Sequence, residues 1–320
     1  MWDPLGHTEP LPLAEHFHPL GFPLVLRTNS SHIVEACRQS WGEFGRAFET
    51  TPIELRVIVG EGPQPEQARM PVLLGPSFRS QGHLLALVLD QDNFALCDLD
   101  RGFGFACLAA PVARDHLYTS FHFLDSLAYT SICQRYVTPI HAACVARDGA
   151  GILLVGGSRA GKSSLAWACA RAGFAYVSDD STFLLRRSEE PTLIGRPHRM
   201  RFRPDAVELI PELAGLPRLQ TVIGKESFEI RTGDVAGFTT APRCRPAAVV
   251  FLDRQPGAAT ELTPVDPQEA RRRLSATRNM CEPRVWKQQE QSLEALLACP
   301  AYLLRYSSLD GGVEQIRKIA

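Results

Sequence analysis

Hydrophobic and polar positions follow one grammar up to about Tyr136 and another beyond it. In the first stretch, residues 24–26 read as a short strand, and Asn29-Ser30-Ser31 supplies helix-capping side chains. Ile33, Val34, Cys37, Trp41, Phe44 and Phe48 then recur at helical spacing. Residues 53–59 alternate as a strand, and 60–69 (GEGPQPEQAR) read as a loop. Strand-like runs follow at 72–74, 84–89 and 94–99, the last two separated by a turn at Asp90-Gln91-Asp92-Asn93. Residues 115–135 read as a helix, and 1–22, dense in Pro and His, as an irregular lead-in. The pattern predicts a smaller α+β module with an antiparallel sheet, filling a domain over 1–135.

Beyond Tyr136 the pattern predicts an α/β domain over 136–320. A strand at 141–146 meets a turn at 147–150, and 151–155 are uniformly apolar, as in a strand covered on both faces. A glycine-rich loop leads into a helix at 162–172 closed by Gly173, and a further strand occupies 174–177. Strands at 192–194 and 247–252 flank a basic, Pro-rich segment. Helices are expected at 267–277, capped by Asp266, and at 285–298; a strand at 302–306 and a helix at 312–319 close the chain.

A length of 320 residues suits two domains, and 45% apolar with 22% charged residues is ordinary globular usage. A net charge of -1 supplies no field for nucleic acid or an acidic membrane, and neither is expected as a partner. The nine cysteines are scattered without a Cys-x-x-Cys pair, which argues against a disulfide framework or a zinc knuckle. No signal peptide is read at the N-terminus and no apolar run is long enough for a membrane helix, so a cytoplasmic location is expected. The His16-x-His18 pair lacks a third partner and reads as solvated or packed.

Chemistry concentrates at Gly156-Gly157-Ser158-Arg159-Ala160-Gly161-Lys162-Ser163, which matches G-x-x-x-x-G-K-[ST] between an apolar strand and a helix. In that setting the loop amides face a polyphosphate. Lys162 would reach the β- and γ-phosphates, and Ser163 would ligate magnesium. All but four of the 34 basic residues are arginine, and Lys162 is one of the four lysines. Asp179-Asp180 follow the next strand, where ligands gather at carboxyl ends. One carboxylate suits a metal and the other a proton; a solvated turn pair is the plain alternative. Asp253, ending the apolar run 247–252, is a rival metal carboxylate of the kind found in ATPases.

Residues 140–180 resemble the catalytic core of the HPr kinase/phosphorylases. The resemblance rests on Ile140-His141-Ala142, the loop GGSRAGKS, Arg171-Ala172-Gly173-Phe174 and Ser178-Asp179-Asp180, in that order. It implies an HPr kinase/PEP carboxykinase-like P-loop kinase core preceded by the α+β domain. It further implies ATP and Mg2+ as cofactors, with loop residues 156–163 and the following Ser164 binding nucleotide. Asp180 would act as base toward the acceptor hydroxyl, Asp179 would lie nearer the metal beside Ser163, and His141 would lie close to the transferred phosphate. Three departures stand out. Arg159 replaces a family glycine, Ser164 replaces a family acid, and the glycine- and asparagine-rich signature tied to phosphorylase activity is missing downstream.

The reading is therefore an ATP- and magnesium-dependent kinase acting on an alcohol, foremost a serine of a protein or peptide. The first domain would select the substrate. A small-molecule acceptor (free serine or a sugar) and a non-catalytic nucleotide-sensing module are the alternatives. The resemblance leaves a homo-oligomer open. The arginine stripe Arg199-x-Arg201-x-Arg203 reads either as a surface for phosphates or an acidic substrate, or as a solvated strand face. Lys225, after Gly224, reads as a candidate second phosphate contact.

Overall fold

The computed structural model describes residues 9–60, 75–275 and 282–320. The expected strand at 72–74, nearly all of the loop at 60–69 and the last two residues of the helix expected at 267–277 lie outside these. The described residues up to Arg135, with Gln220–Lys225, form one compact unit; Tyr136–Leu219 and Glu226–Ala320 form the other.

In the first unit the strands are β1 (Leu13–Phe17), β2 (Leu24–Thr28), β3 (Ile53–Gly60), β4 (Ser77–Gln81), β5 (Leu84–Val88), β6 (Phe94–Asp98) and β7 (Phe103–Ala109). They form one sheet in the order β1-β2-β3-β7-β6-β5-β4. It is mixed and not purely antiparallel, because β2 pairs β3 and β3 pairs β7 in parallel. The reason is topological: helix α1 (Ser31–Trp41) carries the chain from β2 back to the start of β3, a crossover that only parallel pairing accommodates. The lead-in is likewise not wholly irregular, since β1 pairs antiparallel with β2 from Leu13↔Thr28 to Phe17↔Leu24. Helix α1 buries Ile33, Val34, Cys37 and Trp41, and the Trp41 indole donates to Asp125 Oδ1 at 2.8 Å.

The helix expected at 115–135 is segmented. It follows α2 (Ala110–Arg114) and comprises α3 (His116–Thr119), a π-helical turn (Ser120–Leu124) and α4 (Asp125–Arg135). Asp115 separates α2 from α3 and accepts the Tyr118 amide at 3.0 Å, a capping bond that favours a fresh start.

In the second unit the strands are β8 (Val137–Ile140), β9 (Ala142–Arg147), β10 (Ala150–Val155), β11 (Ala175–Ser178), β12 (Thr182–Leu185) and β13 (Leu193–Ile194). Next come β14 (Arg199–Phe202), β15 (Leu219–Gln220, at the boundary of the segment assigned to the first unit), β16 (Glu226–Arg231), β17 (Thr239–Thr240), β18 (Arg243–Arg254), β19 (Glu261–Pro264) and β20 (Ala301–Tyr306). The main sheet runs β17-β11-β9-β10-β18-β13-β12-β8, with β20 beside β18 and β19 beside β20. The small sheet β14-β16-β15 stands apart.

The α-helices described in this unit are α5 (Lys162–Arg171), α6 (Pro267–Ser275), α7 (Pro283–Leu296) and α8 (Leu309–Arg317). Successive residues of β10 enter opposite cores. Ile152 and Leu154 pack with Leu165, Trp167 and Ile316 of α5 and α8, whereas Leu153 and Val155 pack with Ala270, Leu274 and Leu293 of α6 and α7. Burial on both faces is why this strand is an unbroken apolar run. Asp266 Oδ1 accepts the Gln268 and Glu269 amides at the start of α6. Helix α8 begins three residues before expectation because Ser308 caps it, accepting the Gly311 amide at 3.2 Å.

The eight described cysteines are free thiols, Cys144 and Cys244 approaching to 3.7 Å between sulfurs. No helix among the described residues is long and apolar enough to cross a membrane.

Candidate functional site

The site grows from the end of β10. Val155 gives way to the loop 156–161, and Lys162 opens α5. Two backbone features shape the loop. Gly161 takes φ +89°, and a Cβ there would lie 2.3 Å from the Tyr306 hydroxyl. That hydroxyl donates to Ala160 O at 3.0 Å, while burial pushes its own ionisation above the usual tyrosine range. Arg159 also takes a left-handed φ, +69°, where a side chain costs roughly 1–2 kcal/mol. The loop thus keeps a conformation suited to glycine at a position occupied by arginine.

Gly161→Ala is therefore expected to lower stability by about 1–2 kcal/mol from backbone strain alone. Displacing Tyr306 adds to that loss. Gly157 is the matched control for Gly→Ala, because a methyl group there would meet no atom within 4 Å and its φ is not positive. Urea denaturation of the two variants checks the difference.

Lys162 is nearly buried, 7% exposed. Its ammonium bends back along the loop to Gly156 O at 2.8 Å, Gly157 O at 3.3 Å and His141 Nε2 at 3.1 Å. Burial lowers its pKa, a shift opposed by Asp180 and Asp179. An ammonium only donates, so His141 Nε2 accepts, and the ring proton falls on Nδ1. Nδ1 lies 3.3 Å from Asp180 Oδ1. Lys162, His141 and Asp180 thus stand in one line, a hydrogen bond joining ammonium to imidazole and a 3.3 Å contact joining imidazole to carboxylate, with Asp180 at the exposed end.

The sheet explains how residues so far apart meet. Strand β11 is not the immediate neighbour of β10. Antiparallel β9 lies between them, Val155 pairing with Ala142 and Ser178 with Cys144. Because β9 runs the opposite way, its beginning lies at the carboxyl ends of both neighbours. His141, one residue before β9, stands between the loop on one side and Asp179-Asp180 on the other. The turn after β11 is held by Ser178 and Thr182, whose hydroxyls meet at 2.6 Å; Thr182 also donates to Ala142 O at 2.9 Å.

Asp179 turns away from this line toward β14, where its Oδ2 accepts the Arg201 amide at 2.8 Å. Burial raises its pKa to about 6, and the Arg201 amide only partly offsets this. The folded chain then holds a proton between pH ~4 and ~6 that the unfolded chain has released. Stability from this group is present below pH ~4 and is lost as pH rises through ~6. In chelator-containing buffer, Asp179→Asn is expected to remove that component, so its thermal midpoint gains on wild type from pH 4 to 7. Melts across that range test it.

Ser163 is half-buried in the first turn of α5, and Ser164 is buried. The Ser163 hydroxyl and the Asp179 carboxylate are hard oxygen donors, the chemistry Mg2+ takes alongside water and phosphate oxygens. Among the described residues no three His, Cys, Asp or Glu side chains cluster as a metal site. Asp253 is already engaged. Its oxygens accept Gln255 Nε2 at 3.1 and 2.9 Å, and Arg305 Nε lies 3.4 Å away.

The arginine stripe resolves into two roles. Met200 and Phe202 are buried, so Arg199, Arg201 and Arg203 share the outward face of β14 and its end. Glu229 of β16, which sequence spacing did not reveal, pairs with Arg199 at 3.1 Å and Arg201 at 2.8 Å. Arg203 donates to Ser158 Oγ of the loop at 2.8 Å. Lys225 lies in a turn where its amide donates to Thr221 Oγ1 at 3.0 Å.

No family model matches the chain. Over 112 residues it is 34% identical to the HPr kinase/phosphorylase of Halalkalibacterium halodurans, covering 34% of this chain and 33% of that protein. Over 80 residues it is 38% identical to the HPr kinase/phosphorylase of Shouchella clausii, covering 25% of this chain and 24% of that one. The similarity thus spans about a third or less of the length of these relatives. Among solved structures, the chain is similar to the Hpr(Ser) kinase/phosphatase from Coxiella burnetii at 14% identity and a TM-score of 0.29. That similarity covers 56% of this chain and 95% of that one.

Proposed function

We propose that this chain, related to the HPr kinase/phosphorylases over about a third of its length, is a phosphotransferase that moves the γ-phosphoryl group of ATP to an alcohol. The observation that carries the reading is the continuous line Lys162–His141–Asp180, which joins a phosphate-loop lysine to an exposed carboxylate. The acceptor is foremost a serine of a protein or peptide, in keeping with relatives named as kinases of HPr. The second unit is the HPr kinase/PEP carboxykinase-like P-loop kinase core, and the first selects the substrate. The cytoplasm is the compartment.

The amides of residues 157–163 cradle the phosphates at the start of α5, where helix and loop donors converge. Lys162 neutralises charge growing on the β- and γ-oxygens. Asp180 accepts the hydroxyl proton as the acceptor oxygen bonds to phosphorus and the bond to the leaving ADP oxygen breaks. His141, whose Nδ1 lies 3.3 Å from Asp180 Oδ1, orients that carboxylate. Ser163 and Asp179 would hold magnesium, which would supply further charge neutralisation at the phosphates.

The test is incubation of the purified chain with Mg2+, γ-labelled ATP and a host lysate depleted of this protein. Label in a discrete protein supports the reading. Label in a low-mass fraction moves the acceptor to a small molecule, and label released only as inorganic phosphate overturns the kinase.

A further inference from the structure

Among the described residues, no carboxylate pairs with Arg203; its hydrogen-bond partner is the neutral Ser158 hydroxyl, at 2.8 Å. Its neighbours on the stripe differ, since Arg199 and Arg201 both pair with the Glu229 carboxylate. Strand β14 therefore delivers one uncompensated guanidinium to the loop. The same strand fixes Asp179 through the Arg201 amide, so Arg203 is presented from an element already anchored in the site.

The position on the loop identifies which phosphate Arg203 meets. Lys162 folds back to the carbonyls of Gly156 and Gly157, and a lysine at this position serves the β- and γ-phosphates. Ser158 is the next residue. The terminal phosphate is thus the part of the nucleotide that approaches Arg203, while the α- and β-phosphates lie toward the helix amides. A guanidinium is suited to this task, because its planar fork binds two phosphate oxygens at once.

We propose that Arg203 is a terminal-phosphate contact that lets the site discriminate a nucleoside triphosphate from the diphosphate. On binding, the guanidinium exchanges the Ser158 hydroxyl for γ-phosphate oxygens. The inference rests on the nucleotide reading of the loop given above.

The test is calorimetric titration of the full chain, in magnesium buffer, with the β,γ-imido analogue of ATP and separately with ADP. Arg203→Ala is expected to weaken the triphosphate analogue by about 10- to 100-fold, the range for a lost charge-assisted hydrogen bond. ADP affinity should change less than about threefold, because its phosphates lie toward the helix. Arg203→Lys should restore part of the difference by keeping charge without the fork. Arg203 is exposed, so the variants should fold, and melting curves without nucleotide verify this. Equal weakening of both nucleotides, or of neither, overturns the assignment and leaves the kinase reading standing. Wild-type protein that binds neither nucleotide overturns the reading beneath it as well.

Discussion

Replacing Lys162 with alanine should reduce phosphate transfer by about 10²- to 10³-fold, the range for removing one preorganised charge-stabilising donor. The ammonium is buried and fixed by Gly156 O, Gly157 O and His141, so it needs little reorganisation as charge develops on the phosphate. Lys162→Arg should fare little better, since a guanidinium cannot occupy a buried position shaped for a compact point charge. Steady-state transfer with labelled ATP measures both variants. An unchanged rate in Lys162→Ala would remove the loop from catalysis altogether. Loss of His141 orientation accompanies the lysine variant, so its effect and that of His141→Ala should not add.

Asp180→Asn should be nearly as damaging, lowering transfer by about 10²- to 10⁴-fold through loss of a general base. The side chain is exposed, so folding should be untouched. Nucleotide binding should persist, because Lys162 keeps its two loop carbonyls and its imidazole partner. This split between binding and turnover separates a catalyst from a nucleotide-sensing module, which would be indifferent to the substitution. Asp253→Asn is the companion experiment. Its carboxylate is occupied by Gln255 and Arg305, so transfer should survive. The reverse pattern, with Asp253→Asn inactive and Asp180→Asn active, would assign a simple ATPase.

What could be read in the sequence was what local chemistry determines. Residues 151–155 announce a strand covered on both faces, and the glycine-rich loop before Lys162 announces a helix start. Positive φ at Arg159 occurs where the resemblance places a family glycine. What escaped depends on partners distant in sequence. Strand β1 hides in a Pro- and His-rich lead-in because its pairing is set by β2 and not by its own composition. The mixed first sheet follows from a crossover that periodicity does not encode. The insertion of β9 between β10 and β11 was invisible because strand order is a property of the whole sheet. Glu229, the residue that divides the arginine stripe, is 26 positions beyond Arg203, and no local signal links the two.

The interposed strand β9 sets a distance as well as an order. Neighbouring strands lie about 4.8 Å apart, so the axes of β10 and β11 are held roughly 9.6 Å from each other. The loop and the acid pair are thereby mounted on two rails with a fixed gauge, and neither rail can creep toward the other without dismantling the ladder between them. A shorter gauge would press the carboxylates against the loop's lysine, and a wider one would break the single imidazole that spans it. In such a frame the reach of one side chain, at position 141, decides whether the two halves of the site communicate, while the backbone that carries them stays still.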